Sequence, residues 1–178
     1  MNPLTATINH FAPAAVILLA LLSYFRRKEE IGGWLLVFFS QMYVGVTVVL
    51  LGSIPIVAHA FPATPSDARP AAKLVAVVTL LRLAAYATVA IASSFLLRER
   101  NSVWVERLRL ALGAALLLNG IALVIDILYF PSTLVRNLFG WIVLLAWLIY
   151  FFVSVRAKMV FFSKTWGQMP AEKVFSDL

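Results

Sequence analysis

The amino-acid sequence predicts an all-α fold: a polytopic membrane helical bundle with five transmembrane helices. Composition, the spacing of long apolar runs and the placement of basic residues all lead there. Of 178 residues, 62% are hydrophobic and only 13% are charged, whereas soluble domains carry about 45–50% apolar and about 25% charged residues on a similar count. Mean hydropathy is +0.93. So little charge cannot cover a water-facing surface, and lipid must cover much of it instead. The apolar content excludes a disordered chain and a nucleic-acid-binding domain. The absence of cysteine excludes a disulfide framework, thiol catalysis and iron–sulfur ligation.

Crossing a hydrocarbon layer of about 30 Å takes about 20 apolar residues of helix. Phe11–Phe25 is the first apolar stretch, and it is long enough only if Thr5–His10, with Asn9 and His10, joins the helix. An uncleaved signal-anchor or a re-entrant segment competes with a full span here. A cleaved signal peptide is disfavoured, because no positive charge precedes the stretch and no A-x-A site follows it. Four clearer spans follow at Gly32–Val57, Ala71–Leu97, Leu110–Phe130 and Leu138–Val155. Between the first two of these, Ala58–Pro70 contains Pro62, Pro65 and Pro70, close to Pro55, and is expected to be turn and extended chain. Arg98–Arg109 mixes charges with Val103, Trp104 and Val105 and reads as a short interfacial helix. Arg156–Trp166 mixes bases with Phe161, Phe162 and Trp166, which suits an anionic headgroup layer.

Basic residues fix the orientation. Eleven lie on one side of the five-span arrangement, among them Arg26, Arg27, Lys28, Arg98, Arg100, Arg107 and Arg109, against Arg69, Lys73 and Arg136 on the other. The richer side is cytoplasmic, which places the C-terminus inside and the N-terminus outside. Most of the +7 net charge is thereby explained by topology. Four spans with an internal N-terminus would satisfy the same asymmetry.

Two ionisable residues fall within the spans, where a central charge costs about 2.5–3.5 kcal/mol even on insertion scales. Arg82 lies about 15 Å from the outer end of its helix and Asp126 about 8 Å from the outer end of the next. An outward-reaching arginine can therefore meet the aspartate. Thr79, Arg82, Tyr86 and Ser93 share one helix face, as do Ala115, Asn119, Ala122 and Asp126. Gln41, Gly45, Val48 and Gly52 form a similar stripe on the preceding span, and Gln41 and Asn119 stand at matching depth for a hydrogen bond. Arg82, Asp126, Asn119, Gln41 and Tyr86 thus form the candidate intramembrane polar cluster. It serves either as glue in a tight bundle or as a polar cavity that binds or passes a ligand or proton.

Enzyme chemistry is poorly supplied. His10 and His59 lack metal-ligand spacing, and no G-x-S-x-G, phosphate-binding or dinucleotide fingerprint is present. Gly32–Gly33 reads as a flexible helix start. No catalytic residue, metal or cofactor is expected.

Gly32-Gly33-Trp34-Leu35 at the start of a span, and Tyr150-Phe151 followed by Ser154, Arg156, Lys158 and Phe161 at the end of the last, resemble a known pattern. They are similar to the opening G-W-L and terminal Y-F-x-x-S-x-R-V-K-x-T-F of the bacterial membrane family catalogued as domain of unknown function 2569. Ala157 and Val160 depart from it, standing where valine and threonine are usual. The resemblance covers about Ile31–Phe162 and implies a four-helix membrane core with a cytoplasmic C-terminus in a bacterial inner membrane; it implies no activity. The chain then divides into 1–30, an N-terminal helix and basic turn; 31–162, the four-helix domain; and 163–178, a cytoplasmic tail. Trp34, Arg156 and Lys158 are the expected inner-face contacts to anionic phospholipid headgroups. The expected role is non-enzymatic, as an accessory or interaction subunit of a larger membrane assembly, with the lipid bilayer and another membrane subunit as partners and no nucleic acid. A small transporter or ligand-binding bundle is the alternative, and a lipid-acting enzyme the third reading.

Overall fold

The computed structural model describes residues 18, 21–26, 31–61 and 70–163. Within them the chain forms α1 (Trp34–Ala60), α2 (Pro70–Glu99), α3 (Ser102–Tyr129), a 3₁₀ turn at Pro131–Thr133, α4 (Leu134–Val153), α5 (Val155–Lys158) and a π-helical turn at Met159–Ser163. No strand occurs among the described residues. The first three helices contain 27, 30 and 28 residues, about 40–45 Å by the helical rise. All three are long and apolar enough to cross a membrane, and a fourth span results if Asn137–Val153 and Val155–Phe162, bent by 59°, are taken together. The expected first span, Phe11–Phe25, lies mostly outside the described residues, of which 21–25 are helical.

Three of the expected spans are present with shifted ends, and the fourth, Leu138–Val155, is a span only if the helices on either side of the 59° bend are taken as one. α1 runs through Pro55 to Ala60; a proline there removes one backbone donor without ending the helix, and the Ser53 hydroxyl donates to the Leu50 carbonyl at 2.7 Å just before it. Pro70 opens α2, a position where its missing N–H would have no intrahelical partner. Helix therefore takes up both ends of the expected Ala58–Pro70 loop, and residues 62–69 lie outside the described set.

Arg98–Arg109 is not a separate interfacial helix. α2 continues to Glu99 and α3 begins at Ser102, leaving a corner of Arg100 and Asn101. Arg100 takes a left-handed backbone angle, φ 47°, and the Asn101 side chain caps α3 by accepting from the Trp104 amide at 3.0 Å. The apolar period runs unbroken from the charged segment into the span: Val105, Leu108, Ala111, Leu112 and Ala115 are all buried. That continuity is why one helix forms rather than two. Trp104 stacks on Phe95 with centroids 4.4 Å apart, Arg107 covers its ring at 4.4 Å, and its indole donates to Glu99.

α2 packs against α1 and α3, and α3 packs against α4. α1 and α4 meet through aromatic side chains at the end of the bundle that holds Trp34 and Val153. There Phe38 sits 5.2 Å from Trp147 and 4.8 Å from Phe151, and Trp34 sits 6.4 Å from Trp147. The buried face of α1 is accordingly Leu35, Phe38, Phe39 and Met42. The stripe of Gln41, Gly45, Val48 and Gly52 does not mediate close packing, since a side chain at Gly45 or Gly52 would meet open space and Val48 is 55% exposed. Helix association in lipid rests on van der Waals contact, and the large aromatic rings supply more of it than the glycines. Large apolar side chains such as Leu117 (73% exposed) and Val135 (80%) face outward from the bundle. Water does not tolerate such a surface, and lipid does.

Candidate functional site

Asp126 stands on the expected face of α3, where Ala115, Asn119, Ala122 and Asp126 are all buried. Small residues on this face let α2 and α4 approach. Arg82 of α2 donates through Nη2 to Asp126 Oδ2, forming the expected ion pair. Asn137 of α4 donates through Nδ2 to the same oxygen at 2.7 Å. The sequence reading did not single out Asn137. Its signal was available: Asp126 and Asn137 lie symmetrically about the Pro131–Thr133 turn, so an antiparallel hairpin sets them side by side. Tyr86, one turn from Arg82, places its hydroxyl 3.6 Å from where a side chain on Gly140 would begin, and so marks a close approach of α2 and α4.

Two members of the expected cluster lie apart from it. Gln41 and Asn119 do not bond to each other: Gln41 Oε1 accepts from Trp147 Nε1 at 2.9 Å, and Asn119 Nδ2 donates to the Ala115 carbonyl of its own helix at 2.9 Å. Equal depth does not suffice for a bond, because α1 packs against α2 rather than α3 and the Gln41 side chain turns to α4. Trp141 secures the α3–α4 contact by donating from Nε1 to the Leu116 carbonyl at 3.1 Å, with Gly120 leaving room for its ring.

Beside the ion pair is a partly open cavity of about 160 Å³. All four long helices line it. Ile56, Val75, Val78 and Phe130 supply apolar walls, while Thr79, Arg82, Asp126 and Asn137 supply polar ones. The Thr79 hydroxyl is already committed to the Val75 carbonyl at 2.8 Å. Arg82 and Asp126 differ in access, with side chains 20% and 3% exposed. At about 30 Å³ per water, the space holds about five.

At the opposite end, Trp34 (62% exposed) and Lys158 face outward as expected, but Arg156 does not reach for headgroups. It is only 7% exposed. The bend at Ser154 turns the following segment back beneath the bundle, where Ala157, Val160 and Phe161 are buried. Arg156 goes with them and packs against Gly33. A side chain at position 33 would begin 2.9 Å from Arg156 Nη1, and the backbone there adopts φ 56° and ψ −134°. Glycine is therefore required by both space and conformation, rather than lending flexibility. Its amide donates to the Ser23 carbonyl at 3.2 Å and its carbonyl accepts from the Ser23 hydroxyl at 2.6 Å.

Arg109, earlier only one of eleven basic residues, has a specific position. Its Nε and Nη2 donate to the Phe151 carbonyl at 3.1 and 2.6 Å, and its guanidinium covers the rings of Phe152 at 4.6 Å and Phe162 at 5.6 Å. The break after Val153 leaves that carbonyl without its helical donor, and the arginine fork replaces it. The Ser154 side chain caps the continuation by accepting from the Ala157 amide at 3.2 Å.

Among the described residues, no group of three or more metal-ligating side chains converges. No family model matches the chain, and neither a curated protein nor a solved structure matches it.

Proposed function

We propose that this chain is a multi-pass protein of a bacterial inner membrane, with five spans, an external N-terminus and a cytoplasmic C-terminus, acting without catalysis as an accessory or interaction subunit of a larger assembly. Spanning helices and the basic-residue asymmetry support the location, and the terminal motifs that resemble the four-helix membrane family support the core. The observation that carries the role is how the polar groups are used. Arg82, Asp126 and Asn137 hold one another, Gln41 holds Trp147, and Trp141 holds a backbone carbonyl. What remains on the perimeter is apolar surface suited to lipid or to a partner's helices. Trp34 and Lys158, with Arg98, Arg100 and Arg107, suit anionic headgroups on the cytoplasmic side. Crosslinking in the native membrane followed by detergent extraction tests the role: a stoichiometric membrane partner is expected, and a homogeneous protein with no partner contradicts it.

The cavity favours a second reading, a small ligand-binding or transporting bundle centred on Arg82 and Asp126. Replacing both residues by Met and Leu separates the readings. An interaction subunit keeps its fold and role, since a buried ion pair can often give way to apolar packing; a ligand-binding bundle keeps the fold and loses the role.

A further inference from the structure

We infer that the Arg82 cavity takes a small monocarboxylate of about six non-hydrogen atoms together with one proton, which is received by Asp126. The inference rests on the second reading above. Arg82 spends one N–H on Asp126, and its side chain lines the cavity, so the fork retains donors for a second acceptor. A guanidinium matches a carboxylate bidentately. Ile56, Val75, Val78 and Phe130 suit a short alkyl body, and about 160 Å³ is close to the cavity of about 150 Å³ that accepts benzene in an engineered protein.

Charge sets the stoichiometry. Arg82 and Asp126 sum to zero, and Asn137 is neutral. An incoming anion on Arg82 would leave Asp126, 2% exposed, as a second negative charge inside the membrane, which is costly. Protonation of Asp126 restores neutrality: Arg82 then pairs with the ligand carboxylate, and the carboxyl group of Asp126 still offers an acceptor to Asn137. No other charged side chain lines the cavity among the described residues. Arg82 faces Asp126 from α2, with Tyr86 one turn further along, and among the described side chains of α4 the one that lines the cavity is the amide of Asn137.

Radiolabelled butyrate binding to the full chain in nanodiscs, measured from pH 6 to 8, tests this. Butyrate, a simple carboxylic acid, is ionised throughout that range. Saturable binding should tighten about tenfold for each unit the pH falls, with one proton taken up per butyrate. Arg82→Gln should abolish it, and Asp126→Asn should retain binding with a flat pH profile. If Arg82→Gln does not fold, Thr79→Ile, which fills the cavity beside the pair, should abolish binding instead. Absent binding, pH-independent binding, or binding that survives both Arg82→Gln and Thr79→Ile overturns the inference. Arg82-dependent binding of neutral butyramide without butyrate overturns the carboxylate class and leaves the ligand-site reading intact; failure of both probes overturns both.

Discussion

Replacing Arg82 by Leu leaves Asp126, 2% exposed, with only the Asn137 amide as partner, and breaking a buried pair in this way costs about 3–5 kcal/mol. Asp126→Leu strands Arg82 instead. Arg82 is the more accessible partner, at 20% against 3% side-chain exposure, and its long side chain can turn toward water, so this substitution should cost less, about 2–3 kcal/mol on the same scale. The double replacement removes both charges and should fall within about 1 kcal/mol of the wild type, because apolar packing often substitutes for an ion pair. A cycle of unfolding free energies in mixed micelles should therefore give a coupling of about 3 kcal/mol or more between the two sites. Additivity within about 0.5 kcal/mol would refute the pairing and the close approach of α2 and α3 that it implies.

Other substitutions probe the opposite end. Arg109→Met should cost about 1–3 kcal/mol through loss of the fork on the Phe151 carbonyl, read as a lower thermal midpoint together with greater proteolysis near Ser154. Gly33→Ala should destabilise by about 1–3 kcal/mol, given its positive φ, and pairing it with Arg156→Ala should recover only the part due to contact with the guanidinium, by the same thermal measurement. Gln41→Leu leaves the Trp147 indole without its acceptor and should cost about 1–3 kcal/mol, with a shift in tryptophan emission. For topology, cysteines placed at Thr5 and Ser176 should react with an impermeant reagent from opposite sides; labelling from the same side excludes five spans and leaves four.

The parts of the fold legible in the sequence were those governed by hydropathy and helical period. Three of the clear spans, the buried stripe ending at Asp126 and its pairing with Arg82 all follow from apolar run length and spacings of three, four and seven. The remainder depended on which helices become neighbours. Gln41 and Asn119 match in depth, yet each finds a closer partner, and depth alone carries no information about adjacency. Arg156 was expected at the headgroups because it ends an apolar run. The 59° bend at Ser154 carries it under the bundle instead, and a bend set by one cap and an arginine from another helix leaves little trace in local composition. The glycines of α1 looked like a packing stripe, but aromatic rings at Phe38 and Phe39 claimed the interface. Asn137 could have been found by folding the chain back about Pro131 and asking what lies opposite Asp126.

The proposed orientation places the polar cavity beside Arg82 and Asp126 toward the outer side of the membrane. The chain contains no cysteine, so single cysteines report without background. Thr79→Cys, lining the cavity, and Leu117→Cys, on the lipid-facing perimeter, should be exposed in intact cells to a small impermeant thiol reagent. The account predicts modification at position 79 from outside and none at position 117. Protection at position 79, or modification there only when the cytoplasmic face is opened to the reagent, would contradict it.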